Sequence, residues 1–117
     1  MRFSPKAVEK IRSRANGFCE FCGGEETEAM QAHHRRPRGM GGSKDEATGM
    51  PSNGLWLHYE CHRTVESNRE HAIATGFIVP QHKDPKTVPV LTPGTMGVIL
   101  DDDGNFRLAE PAELSYG

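Results

Sequence analysis

Apolar residues fall at helical spacing in two stretches of this chain and alternate or run together in a few short ones. Val8, Ile11 and Ala15 follow Ser4-Pro5, a hydroxyl cap with proline at the first helical position, and Asn16-Gly17 stops the pattern. A short amphipathic helix over residues 5–15 is expected. Met30-Gln31-Ala32-His33 and Leu55-Trp56-Leu57-His58 read as two strands, antiparallel to each other. Cys61 to Thr75 reads as one helix with sparse apolar positions (Val65, Ala72, Ile73), ended by Gly76.

Between the strands, residues 35–54 hold Pro37, Gly39, Gly41-Gly42, Gly49, Pro51 and Gly54, which excludes a regular element. A loop of that length inside a small domain is usually functional. Beyond Gly76, Phe77-Ile78-Val79-Pro80 is a short extended run, and residues 81–95 read as a linker or meander. Gly97–Leu100 and Phe106–Leu108 flank Asp101-Asp102-Asp103-Gly104-Asn105, a β-hairpin with glycine in the turn. The expected fold class is α+β: a core over residues 1–80, and a linker with a hairpin tail over 81–117, packed on the core or extending from it. No internal repeat is visible.

Composition narrows the class. The chain has 117 residues, room for one modest core, yet only 35% are hydrophobic, and Gly and Pro total 21. Such a chain often needs a staple, and a bound metal is a standard one. No stretch approaches a membrane span, and the N-terminus lacks the apolar run of a signal peptide, so a cytoplasmic protein is expected. The net charge of −2 divides unevenly: residues 1–83 carry 12 basic against 10 acidic groups, and residues 84–117 carry 2 against 6. Basic residues cluster at Arg12 and Arg14 and at Arg35, Arg36 and Arg38, and local charge matters more than the global sum for phosphate binding. The acidic stretch Glu25–Glu28 reads as a solvated connection.

Three cysteines, two of them in a C-x-x-C, point to reduced thiols serving as ligands. Cys19 and Cys22 form one chelating pair, and His58 and Cys61 form a second. Three thiolates and one imidazole make a closed tetrahedral shell, the structural pattern for Zn²⁺. Glycines at 23 and 24 allow the tight turn that aims both sulfurs of the first pair at one ion.

Assigning His58 to zinc leaves His33, His34 and His62. His62 follows Cys61 directly, and Glu66 lies four residues later on the same helical face. Adjacent strand residues point to opposite sides, so one of His33 and His34 can share a metal with His62 while the other faces a water. A divalent cation with few protein ligands leaves positions open for a phosphate. An imidazole is a suitable general base near neutral pH. Arg35, Arg36 and Arg38 come next, in reach of phosphate oxygens.

The order Cys-x-x-Cys, His-His, Asn, His-x-x-Cys-His resembles the HNH endonucleases of the ββα-metal class, with the three letters on His34, Asn53 and His62. The stretch from His33-His34 through Pro37-Arg38 to Gly41-Gly42 is similar to the family's His-His, Pro-Arg and Gly-Gly pattern, and the likeness covers about residues 18–75. It implies a zinc-stapled ββα-metal core that hydrolyses DNA. His34 is then the general base. His33 and His62 hold one catalytic divalent ion, Mg²⁺, Mn²⁺ or another, and Asn53 bonds loop backbone to orient His34. The colicin-like branch often has a further histidine where this chain has Glu66, a carboxylate that can serve as a hard ligand. The tail resembles that of small phage-type HNH proteins, which implies terminase subunits as partners.

Two other readings stay open at this stage: a zinc-stabilised DNA-binding or packaging scaffold without activity, and an RNA nuclease. Trp56, between Leu55 and Leu57, reads as packing rather than base stacking. Asp101–Asp103 lacks the glycine and glutamate of a calcium loop and reads as a turn.

Overall fold

Ser4 caps the first helix as its position predicts: its hydroxyl accepts the Ala7 amide at 3.1 Å, and Asn16 closes the helix in the left-handed region at φ 54°. The computed structural model of the protein describes residues 2–37 and 46–114. Arg38 of the expected phosphate-binding set, with Gly39 and Gly41-Gly42 of the motif, lies outside the described residues. Helix α1 is Pro5–Ala15, and it buries Ala7, Ile11 and Ala15.

Strands β1 (Met30–His34) and β2 (Gly54–His58) pair antiparallel, with Met30 opposite His58 and His34 opposite Gly54. Helix α2 (Tyr59–Ser67) follows β2 without a loop, so a hairpin and a helix form one unit. Ile11 of α1 packs so close to Gly54 that a Cβ there would collide with it, which lets the helix cross the hairpin end.

The helix expected over Cys61–Thr75 starts earlier and breaks. It divides at Asn68 (φ −128°, ψ 56°) into α2 and α3 (Arg69–Ala74). The cause is local: the Asn68 side-chain amide donates to the Thr64 carbonyl at 2.8 Å, so a short polar side chain competes with the helical ladder. Gly76 then turns the chain at φ +84°, where its backbone lies against the Pro89 carbonyl and no side chain fits. Single 3₁₀ turns at Glu46–Gly49 and Pro51–Asn53 occupy the end of the long loop.

The tail forms a second small antiparallel sheet, β3 (Val98–Leu100) with β4 (Phe106–Leu108), followed by a short helix α4 (Pro111–Leu114). Asp101 organises the turn, its carboxylate accepting the amides of Asp103 and Asn105, both at 2.9 Å. Among the described residues the architecture is α+β with two two-stranded sheets. One apolar cluster joins its parts: Leu55 and Leu57 from β2, Val65 from α2, Phe77 and Ile78, and Val90, Val98 and Leu100 from the tail. The tail therefore contributes core and packs against residues 1–80. No helix among the described residues is long and apolar enough to cross a membrane.

Arg35 corrects the sequence reading most sharply. Expected on a phosphate, it is fully buried. Its Nε donates to Gly76 O at 2.9 Å, Nη1 to Ser52 O at 3.0 Å and Pro85 O at 2.9 Å, and Nη2 to Val88 O at 2.7 Å. Burial pushes its pKa down to about 9, with the Arg14 charge adding to the effect, so it stays charged at neutral pH. Arg36 is corrected in the same way: it is buried, and its Nη1 donates to Lys83 O at 3.0 Å. Both guanidiniums bind main-chain carbonyls and fasten the tail to the end of β1.

Arg12 and Arg14 are neutralised too. Arg14 is buried against Glu20 at 2.8 Å and also donates to the carbonyls of Pro51 and Gly54. Arg12 pairs with Glu26, which also accepts the Trp56 indole N–H at 2.7 Å, so Glu26 is a bonded strut rather than part of a solvated connection.

Arg35→Leu should leave the four main-chain carbonyls without their guanidinium donor and cost about 3–5 kcal/mol, since an unsatisfied buried polar group costs about 1–3 kcal/mol. A clear fall in the urea midpoint should result. Arg107→Ala, which breaks an exposed pair with Glu113, should barely move that midpoint.

Candidate metal centres

The knuckle after α1 and the start of α2 bring four ligand atoms together. One atom each from Cys19, Cys22, His58 and Cys61 lies within 4.8 Å of the others. Tetrahedral zinc at about 2.3 Å from sulfur needs ligand edges of roughly 3.8 Å, a scale that this cluster matches. The turn that aims the sulfurs is held by Cys19 N–H donating to Gly24 O at 2.8 Å and Gly23 N–H to Cys19 O at 2.9 Å.

Hydrogen bonding selects the face His58 presents. Its Nε2 lies 2.7 Å from the Glu25 carbonyl, which can only accept, so the proton sits on Nε2. The lone pair is then on Nδ1, 3.3 Å from Cys22 Sγ and 3.8 Å from Cys61 Sγ. A carbonyl that orients an imidazole in this way is a recurrent support of metal ligands.

The thiols point to a cation as well. Burial opposes ionisation of Cys19, but amides of Cys22, His58 and Phe21 outweigh it and hold this thiol below its usual range. Cys61 is pushed up to about 12, by burial first and then by the neighbouring Cys19 charge. Three sulfurs this close do not all ionise without a positive charge between them, and zinc supplies one. The donor set therefore fits a structural zinc.

A second cluster lies one residue further along α2. His33, His62 and Glu66 each offer one ligand atom, all within 4.8 Å of one another. The tautomer logic repeats. His33 Nε2 lies 2.9 Å from the Phe77 carbonyl and must carry the proton, so Nδ1 presents its lone pair. That Nδ1 is 3.0 Å from His62 Nδ1 and 4.0 Å from Glu66 Oε1. At 3.0 Å the His33 Nδ1 lone pair can accept a proton from His62 Nδ1, or the two nitrogens can share a cation. Burial pushes His33 down to about 4 against the opposing bond to the Phe77 carbonyl, with the charges of His62, His34 and Arg35 adding to the fall, so its imidazole is neutral at pH 7. Two imidazoles and a half-exposed carboxylate fit a divalent cation with open positions. Glu66 Oε2 also lies 3.5 Å from Arg69 Nη1.

His34 points away from this cluster, across β1. It is half-buried, with its ring flat on Phe3 at 4.0 Å and 9° between planes. Asn53 is fully buried. Its Oδ1 accepts the Arg36 amide at 2.7 Å, and its Nδ2 donates to the carbonyls of Arg36 at 3.1 Å and Thr48 at 2.9 Å. Asn53 thus anchors the backbone two residues beyond His34 and does not join the cluster.

The structure brings together His33, His62 and Glu66 in one set and Cys19, Cys22, His58 and Cys61 in the other, and it removes Arg35 and Arg36 to the interior. Sequence reasoning did not find the carbonyls of Glu25 and Phe77, because a main-chain oxygen carries no residue signature. It also missed Phe3, whose aromatic ring near the N-terminus was the available signal. Compared with known protein families, curated proteins and solved structures, the chain matches none.

Cys22→Ser should lower zinc content from about one per chain to well below that after dialysis against a weak chelator, with a fall in melting temperature. Glu66→Ala should retain the zinc. Metal analysis decides, and equal zinc in Cys22→Ser and the parent chain would refute the clamp.

Proposed function

We propose that the protein is a metal-dependent endonuclease of the HNH type, hydrolysing phosphodiester bonds of DNA with His34 as general base and one divalent cation. The observation that carries the reading is the convergence of His33, His62 and Glu66 one residue past a Cys₃His clamp, with a further histidine on the other side of the same strand.

Each residue has a physical part in this reading. His33 and His62 present Nδ1 and Glu66 a carboxylate oxygen, and together they would hold the cation. When bound, that cation neutralises charge on the scissile phosphate and stabilises the leaving 3′ oxygen. Two imidazoles beside one carboxylate favour Mn²⁺ or a similar transition ion over Mg²⁺. His34 takes a proton from the attacking water, and the Phe3 stack limits its ring to one plane. Asn53 and Arg35 fix the backbone on which His34 stands. The zinc clamp fixes Cys61 and therefore the first turn of α2, which carries His62. A zinc-stabilised scaffold without activity would need the clamp but has no use for a second cluster of neutral imidazole and carboxylate.

His34→Ala should reduce nicking of supercoiled plasmid by at least about 100-fold, the usual contribution of a general base. Its zinc content and circular dichroism should match the parent chain. Undiminished nicking by that variant sinks the role of His34. RNA run in parallel should be cleaved less than DNA; the reverse would reassign the substrate.

A further inference from the structure

We propose that Arg63 is the side chain that grips the phosphodiester backbone at the His33–His62–Glu66 centre, and that the bound strand runs along the exposed face of α2. The proposal rests on the nuclease reading and fills the gap left by the burial of Arg35 and Arg36.

Among the described residues the other arginines around the centre are already engaged. Arg12 is held by Glu26 at 2.7 Å and Arg14 by Glu20 at 2.8 Å. Arg35 and Arg36 bond main-chain carbonyls in the interior. Arg69 lies 3.5 Å from Glu66. Arg63 is exposed, and no partner holds its guanidinium among the described residues, although Glu60 and Glu66 stand one helical turn to either side.

Arg63 is also in the right place. It lines an open groove of about 420 Å³ together with Gln31, Tyr59, His62, Glu66 and Ser67. Two of those residues are candidate cation ligands. Arg63 follows His62 and precedes Glu66 by three positions, so its side chain leaves α2 beside the ligands rather than over them. The phosphate it can reach is therefore one next to the scissile phosphate. A guanidinium offers a planar fork of donors that matches two phosphate oxygens. The ligand class is a polyanionic phosphodiester strand, held through its backbone and without base readout.

The test measures binding of the full chain, carrying His34→Ala to prevent cleavage and supplied with zinc and Mn²⁺, to a fluorescein-labelled DNA duplex over a salt series. Adding Arg63→Ala should weaken binding about 5- to 20-fold near 0.1 M salt and reduce the salt slope by about 1. Arg63→Lys should restore most of the slope and only part of the affinity, because it keeps the charge and loses the fork. Arg107→Ala makes the same charge change on the tail and should leave both quantities unchanged. Unaltered affinity and slope in Arg63→Ala, with plasmid cleavage by the parent chain intact, overturn the Arg63 assignment and leave the nuclease reading standing. An equal loss in Arg107→Ala also overturns it, since the effect would then be net charge alone. A parent chain that neither cleaves nor binds DNA overturns both.

Discussion

One buried cation, Arg35, ties distant segments of this molecule together. The Arg35 guanidinium lies in the interior and uses main-chain carbonyls of Ser52, Gly76, Pro85 and Val88 as its shell. These oxygens come from the turn before β2, the turn after α3 and the tail. Among the described residues no carboxylate bonds it, so carbonyl dipoles supply the compensation that burial of a charge demands. The main chain of Arg35 extends the hub, its N–H donating to Asn53 O at 2.8 Å and its carbonyl accepting Val79 N–H at 2.8 Å. His33 and His34 immediately precede it, so the geometry of both histidines is tied to segments distant in sequence.

The two clusters use one device. In each, a histidine donates Nε2–H to a main-chain carbonyl, Glu25 for His58 and Phe77 for His33, and turns the Nδ1 lone pair toward its neighbours. The outer contact decides the tautomer, and the tautomer decides which atom a cation can use. Adjacent residues of α2, Cys61 and His62, then face different clusters because successive helical positions differ by about 100°. The closed set of three sulfurs and one nitrogen suits a structural role. The set of two nitrogens and one exposed carboxylate leaves room for an outside ligand, and on that difference the proposed division between staple and chemistry rests.

Much of this was readable from residue order. Ser4-Pro5 and Asn16-Gly17 marked α1, and alternation around Trp56 marked β2. The spacings of Cys19, Cys22, His58 and Cys61 marked the first ligand set. Each of these signals is local, because caps, strand alternation and chelating pairs act over a few residues. Strand polarity and helical period narrowed the second set to His62, Glu66 and one of His33 and His34; naming His33 took the family resemblance. The single helix expected over Cys61–Thr75 failed at Asn68, where a side-chain bond to Thr64 overrides a weak apolar pattern.

What the sequence determined by itself is the inventory: which side chains can ligate, which can take a proton, and where helices and strands begin. What only the tertiary structure decided is the fate of the arginines. Arg35, Arg36 and Arg63 are alike as residue types, yet two are interior struts and one is an open cation beside the second cluster. The reason is physical. A guanidinium can donate to carbonyl, carboxylate or phosphate oxygen, and which of these it meets depends on long-range folding of the tail onto β1. Local sequence carries no trace of the Pro85 and Val88 carbonyls that claim Arg35, and so none of its removal from the surface.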